Sequence, residues 1–153
     1  MPPNRPPNGE IDPPVEPAEF LLRRFASAPD QFDHAGKFPR IGALLPTKND
    51  ADGLSLFREG DQFVTPARLL ELALNPRVRQ YGGVLAILAL RFRELGLSIV
   101  PRPTEIPGHV VIPEMNRVDY DAAREHKNRI HEWADRLVRA AKDDVRIWPT
   151  PIP

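Results

Sequence analysis

"GGVLAILALRFRELGLSIVPRP", residues 82–103, is the stretch whose reading decides the fold. Its first half is too uniformly apolar to show a period, so length and punctuation must arbitrate between one buried helix and several short elements. The longest nearly uncharged apolar stretch, "YGGVLAILAL" at 81–90, is about half of what spans a bilayer. Two glycines precede the run and Leu95-Gly96 interrupts it, which favours a strand at 84–89, a helical turn at 90–95 and a strand at 97–100.

Downstream, "GHVVIPE" (108–114) gives another strand, which Pro113 closes. Upstream, Asp52-Gly53 is a turn signal that opens a strand from Leu54 to the break at Gly60, and "AEFLLRRF" (18–25) predicts a strand, or a strand entered through one helical turn. "SAPDQFDHAGKFPR" reads as loop. "TPARLLELALNP" (65–76) places Thr65 at the N-cap and Pro66 at the first helical position, with Leu69, Leu70, Ala73 and Leu74 on one face before Asn75-Pro76 stops the helix. From Asp119 to about Lys142 a second helix carries Tyr120, Ala123, Ile130, Trp133, Leu137 and Ala141 on one stripe. This mixture predicts an α+β class, a small sheet of short strands covered by a short helix and a long C-terminal helix. Residues 1–17 are expected as a disordered proline-rich arm, 18–147 as the single domain and 148–153 as a proline-rich tail.

A chain of 153 residues fits one domain that hides roughly 70% of its unfolded surface. Lys+Arg and Asp+Glu are 21 each, so no global field draws the protein to nucleic acid or to an anionic membrane. The absence of cysteine removes disulfides, thiol nucleophiles and thiolate metal sites. No apolar leader stands at the N-terminus, and a cytoplasmic, soluble protein is expected.

Few spacings along the chain carry chemistry. "KNDADGLSLFRE" (48–59) has Asp50, Asp52, Gly53 and Glu59 at the third, fifth, sixth and twelfth places of a calcium loop, but Lys48 occupies the first, where a ligand is needed. His126 and His131 are five apart, so on a helix they are turned by roughly 140° and do not form a zinc pair. His34 lies in a loop with nothing to couple to. No phosphate loop, dinucleotide fingerprint or nucleophile elbow is present. No metal and no cofactor are expected.

His109 stands behind Gly108 at the head of its strand. The plain reading is a ring that satisfies a turn carbonyl; the sharper one brings it to Glu114, Arg23, Arg24 and Ser55 in a pocket for a phosphate or nucleotide. Arg77, Arg79, Arg91 and Arg93, with Tyr81 and Phe92 among them, give a third reading, single-stranded nucleic-acid binding by charge and stacking. Trp148, Phe20, Phe25 and Trp133 are large anchors of the sort that carry interface energy.

"LLRRF", "DGLSLFRE", "RELGLSIVPRP" and "PGHVVIPE", in that order over about residues 20–116, resemble a group of small uncharacterised bacterial proteins with no assigned activity. The resemblance implies a bacterial, standalone small protein and brings no catalytic residues with it. The expectation is a non-enzymatic interaction or accessory protein binding a protein partner, homo-oligomers included. The alternatives are a small nucleotide-handling or transferase-like enzyme and a single-stranded nucleic-acid binder.

Overall fold

A computed structural model describes residues 13–153. In chain order the elements are β1 (Phe20–Phe25), β2 (Phe32–Asp33), β3 (Phe38–Pro39), a 3-10 turn at Ile41–Leu44, β4 (Leu54–Arg58), α1 (Pro66–Glu71), α2 (Pro76–Tyr81), β5 (Gly83–Leu88), α3 (Ala89–Glu94), β6 (Val100–Pro101), β7 (His109–Ile112), α4 (Arg117–Ala122), α5 (Arg124–Ala140) and β8 (Val145–Ile147). The stretch at 82–103 resolves as strand, helix and strand. Six strands form one sheet in the order β6-β7-β4-β1-β5-β8, every neighbouring pair antiparallel; β2 and β3 make a separate hairpin. The α+β class expected from the sequence is what the chain adopts.

Alternation along each strand sorts side chains to two faces. Leu21 and Phe25 of β1 join Leu56, Leu85, Val110 and Ile112 in the larger core, which α5 closes with Ile130, Ala134, Leu137 and Val138. Leu22, Phe57, Val84 and Ala86 point the other way, onto Val64 and Leu69, the latter from α1. Both faces are therefore covered, which is why the strands read as nearly continuous apolar runs.

Several boundaries differ from expectation, each for a local reason. α1 ends at Glu71, short of the stop expected at Asn75-Pro76, and that pair instead starts α2: the Asn75 side chain accepts from the Arg77 amide and Pro76 takes the first helical position. Leu74, expected on the buried face of α1, is 91% exposed in the turn between the two helices. The strand at 97–100 shrinks to β6 because Gly96, at φ +77°, completes the turn that ends α3, and Leu97 enters the core instead of pairing. The helix expected from Asp119 to Lys142 breaks at Ala123, whose backbone is extended. Tyr120 thereby folds back, its ring stacked at 5.5 Å on His131 and its hydroxyl 2.8 Å from Nε2, with Arg117 and Lys127 against its faces.

The ends of the domain also move. Residues 1–12 of the expected arm lie outside the described residues, but from Pro13 the chain is docked: Val15 is 5% exposed, its carbonyl accepts from Arg93, and the Pro17 carbonyl accepts from the Leu90 amide. At the other end Pro149 is buried behind β8, and Thr150 donates its amide to the Tyr81 carbonyl at 2.9 Å. The proline-rich tail thus belongs to the domain as far as Thr150.

Candidate functional site

The central strands part at one end. β1 and β4 share register partners only at Leu21–Arg58 and Leu22–Phe57, so beyond them Arg23, Arg24 and Phe25 on one side stand apart from Ser55 on the other. A buried gap between strands leaves ladder groups orphaned unless a side chain fills it. Arg23 does so: Nη1 donates to the Ser55 carbonyl at 3.0 Å, Nε to Ala43 at 3.3 Å and Nη2 to Leu45 at 3.3 Å. Its charge is met by Asp50, 3% exposed, at 3.1 Å.

Asp50 is itself saturated. Oδ2 accepts from the Thr47 amide and hydroxyl at 2.7 and 3.0 Å, and Oδ1 accepts from the Ser55 amide at 3.1 Å. Burial works to raise its carboxyl, but the Arg23 charge and these donors outweigh burial and hold it below the ordinary carboxylate range. The acidic residues that imitate a calcium loop are thus engaged elsewhere: Asp50 by Arg23, Asp52 by Arg102 at 3.0 Å and Glu59 by Arg146 at 2.9 Å.

Above this pair lies an open cleft of about 460 Å³, walled by Arg23, Arg24 and Ser55 together with Asp50, Phe57 and the turn between α1 and α2. Arg24 reaches under that turn, donating Nη1 to the Leu69 carbonyl at 3.0 Å, with its guanidinium 5.6 Å from the centre of the Phe57 ring. Burial, and after it the neighbouring Arg23 charge, pull its pKa below the usual arginine value. Three of the five residues grouped from sequence therefore share one cleft.

The other two do not line it. His109 pairs with Phe57 across β7 and β4 and stacks on that ring at 4.9 Å. Its Nδ1 lies 2.8 Å from the Arg102 carbonyl, an acceptor only, so Nδ1 carries the hydrogen and donates. Burial leads the lowering of its pKa, and the ring is neutral at pH 7. Gly108 makes the bend at φ +79°, where a Cβ would also meet Phe63 at 2.9 Å. Glu114 lies outside the cleft and clamps Ser98, accepting from its hydroxyl at 2.7 Å and its amide at 3.0 Å.

One pair of chemical appearance was missed by the sequence reading, which left His34 without partners. Its Nε2 is 2.9 Å from both the Oγ and the carbonyl of Ser27. Ser27 Oγ donates to the Thr150 carbonyl at 2.6 Å, so toward His34 it acts as an acceptor. Nε2 therefore bears the proton, and the pair is a latch for the C-terminal segment, not a serine activated by a base. Only the residues far apart in sequence, 27 and 150, reveal it.

That latch holds an aromatic surface. Trp148 meets the edge of Phe32 at 5.9 Å yet stays 51% exposed, and Phe38 on the hairpin is 42% exposed. Adjoining grooves of about 380 and 360 Å³ meet at Trp148 and Lys37, the second also lined by Phe38 and Lys142. The other three expected anchors are placed differently. Phe25 is buried and stacked on Phe32, Trp133 packs against the core, and Phe20 lies under the Arg146 guanidinium at 4.6 Å. Of the arginine-rich middle, Arg91 pairs with Glu94, Arg93 holds Val15, Arg79 caps Ala73, and Phe92, the ring that would stack a base, is fully buried.

No family model, curated protein or solved structure matches the chain. Among the described residues no helix is long and apolar enough to cross a membrane.

Proposed function

We propose that this chain is a non-enzymatic, cytoplasmic accessory protein that docks a protein partner on the surface around Trp148. The observation that carries the reading is a half-exposed tryptophan on a fixed support: Pro149 is buried behind it, Thr150 is tied at both its amide and its carbonyl, and Phe32 backs its ring. A large aromatic side chain already held in place loses little entropy on binding, and such residues dominate interface energies. Phe38 extends the apolar area, and the rim carries Lys37 and Lys142 against the single acid Asp143, with neither lysine in an ion pair among the described residues. The partner that fits is an apolar segment flanked by carboxylates. In this reading the host is bacterial, as the motif order implies.

The test is capture from bacterial lysate with the full chain, with Trp148→Ala and with the double change Lys37→Glu, Lys142→Glu, the variants first matched for thermal stability. One stoichiometric partner retained by the native chain and lost by both variants is expected. Capture that neither change weakens overturns the reading, and a second copy of the chain as the retained species reassigns the surface to self-association.

A further inference from the structure

We propose that the cleft between the parted ends of β1 and β4 binds a small organic anion, a carboxylate or phosphate on an apolar body, with Arg24 as its charged anchor. The cleft shares no lining residue with the grooves around Trp148, so the two proposals stand or fall separately. Its size suits a small ligand.

The polar groups of the wall that are still available decide what the cleft can hold. The one acid in the wall, Asp50, has both oxygens occupied and is neutralised by Arg23. Arg24 has no carboxylate partner, and among the described residues its Nε and Nη2 meet no acceptor, since Leu69 takes only Nη1. A half-buried guanidinium with one carbonyl for company is an unbalanced charge. The neutral wall residues lean the same way. Gln31 uses Oε1 to accept from the Ala26 amide and Asn75 uses Oδ1 to accept from the Arg77 amide, so each has its NH2 donors left.

The cleft therefore offers one net positive charge and an excess of donors, the complement of an oxyanion. The Leu69 carbonyl and the Phe57 face fix the guanidinium before any ligand arrives, and Phe57, Ala73 and Val78 give the ligand body an apolar wall. No histidine lines the cleft and its carboxylate is saturated, so the proposed role is binding, with no bond made or broken.

The test is calorimetric titration of the full chain at low ionic strength with three probes, phenyl phosphate, benzoate and inorganic phosphate. Phenyl phosphate or benzoate should bind at millimolar or lower concentration, at least several-fold tighter than inorganic phosphate, and whichever binds better identifies the oxyanion. Arg24→Gln should weaken that binding tenfold or more. Asn49→Asp, an exposed rim residue whose side chain holds no partner among the described residues, should weaken it several-fold and keeps the test valid if Arg24→Gln misfolds. Arg68→Gln, an exposed arginine on α1 outside the cleft, should leave it unchanged. Failure of all three probes to bind, equal losses in Arg24→Gln and Arg68→Gln, or an unaltered Asn49→Asp overturns the site.

Discussion

Each end of the central strand pair holds a buried arginine, and the two ends close differently. At one, Arg58 is gripped by Glu19 through two bonds of 2.8 Å, capped by the Pro13 and Pro14 carbonyls and laid over Phe63 at 4.3 Å, so the docked N-terminal segment seals it. At the other, Arg23 is equally saturated by Asp50 and three carbonyls, but among the described residues a cleft stays open beside it. The difference lies next door: Arg24 follows Arg23, points to the other face and has no acid of its own among the described residues. A guanidinium with every donor met is part of the scaffold, whereas one with donors left over invites a ligand.

The largest expected effect breaks the symmetry of the two ends. Asp50→Ala leaves Arg23 buried and unpaired and frees the donors of Thr47 and Ser55, which should cost about 3–5 kcal/mol in chemical denaturation. Glu19→Ala should cost about 1.5–3 kcal/mol, because the Glu19 side chain is 21% exposed and Arg58 keeps its proline carbonyls and the Phe63 ring. A greater loss from Glu19→Ala than from Asp50→Ala would make the sealed end, not the open one, the keystone of the sheet.

Acid should sharpen the same comparison through the pKa directions. His109 and His131 titrate below their ordinary value in the folded chain, so the unfolded chain binds their protons first. Their stabilisation is complete above about pH 6.5 and is lost as pH falls through their folded values. Asp50 and Glu19 are also lowered, and their stabilisation, complete above about pH 4.3, is lost further down. Unfolding free energy measured against pH should therefore fall in two stages, and Asp50→Ala should shrink the lower stage while slightly deepening the upper, since the Asp50 charge acts to raise His109. An upper stage absent from the native chain would contradict the buried, neutral His109.

How much of this was legible in advance follows from distance along the chain. Short apolar runs, the Thr65 cap and the glycine punctuation at 82–96 are local signals, and they yielded the main strands and helices and the α+β class, but not the β2–β3 hairpin, in a stretch read as loop, nor β8, which its pairing with β5 reveals. "LLRRF" made Arg23 and Arg24 look equivalent, because their different fates depend on Asp50 and Leu69, brought in by folding from 27 and 45 residues away. The break at Ala123 was hidden for a related reason: the stripe continues through it, and only Tyr120 meeting His131 rewards the turn. Asn75-Pro76 was misread because a cap and a first-turn proline that begin one helix look, from upstream, like the end of another; α1 had already stopped at Glu71. Proline density suggested tails, yet what docks both ends is single residues, Val15 and Pro149, entering apolar sites.

The smallest stability change carries the sharpest functional question. Ser27→Ala removes the bond to the Thr150 carbonyl and one of the two acceptors that face His34, a loss of about 1 kcal/mol. The Thr150 amide bond to Tyr81 survives, so the segment stays attached while its geometry loosens. If a fixed Trp148 is what the partner selects, capture should weaken several-fold, by faster dissociation more than by slower association, since a loosened anchor must be reordered in the complex. Unchanged capture and dissociation in Ser27→Ala would mean that the indole is recognised wherever it stands, and that the latch between residues 27 and 150 serves folding alone.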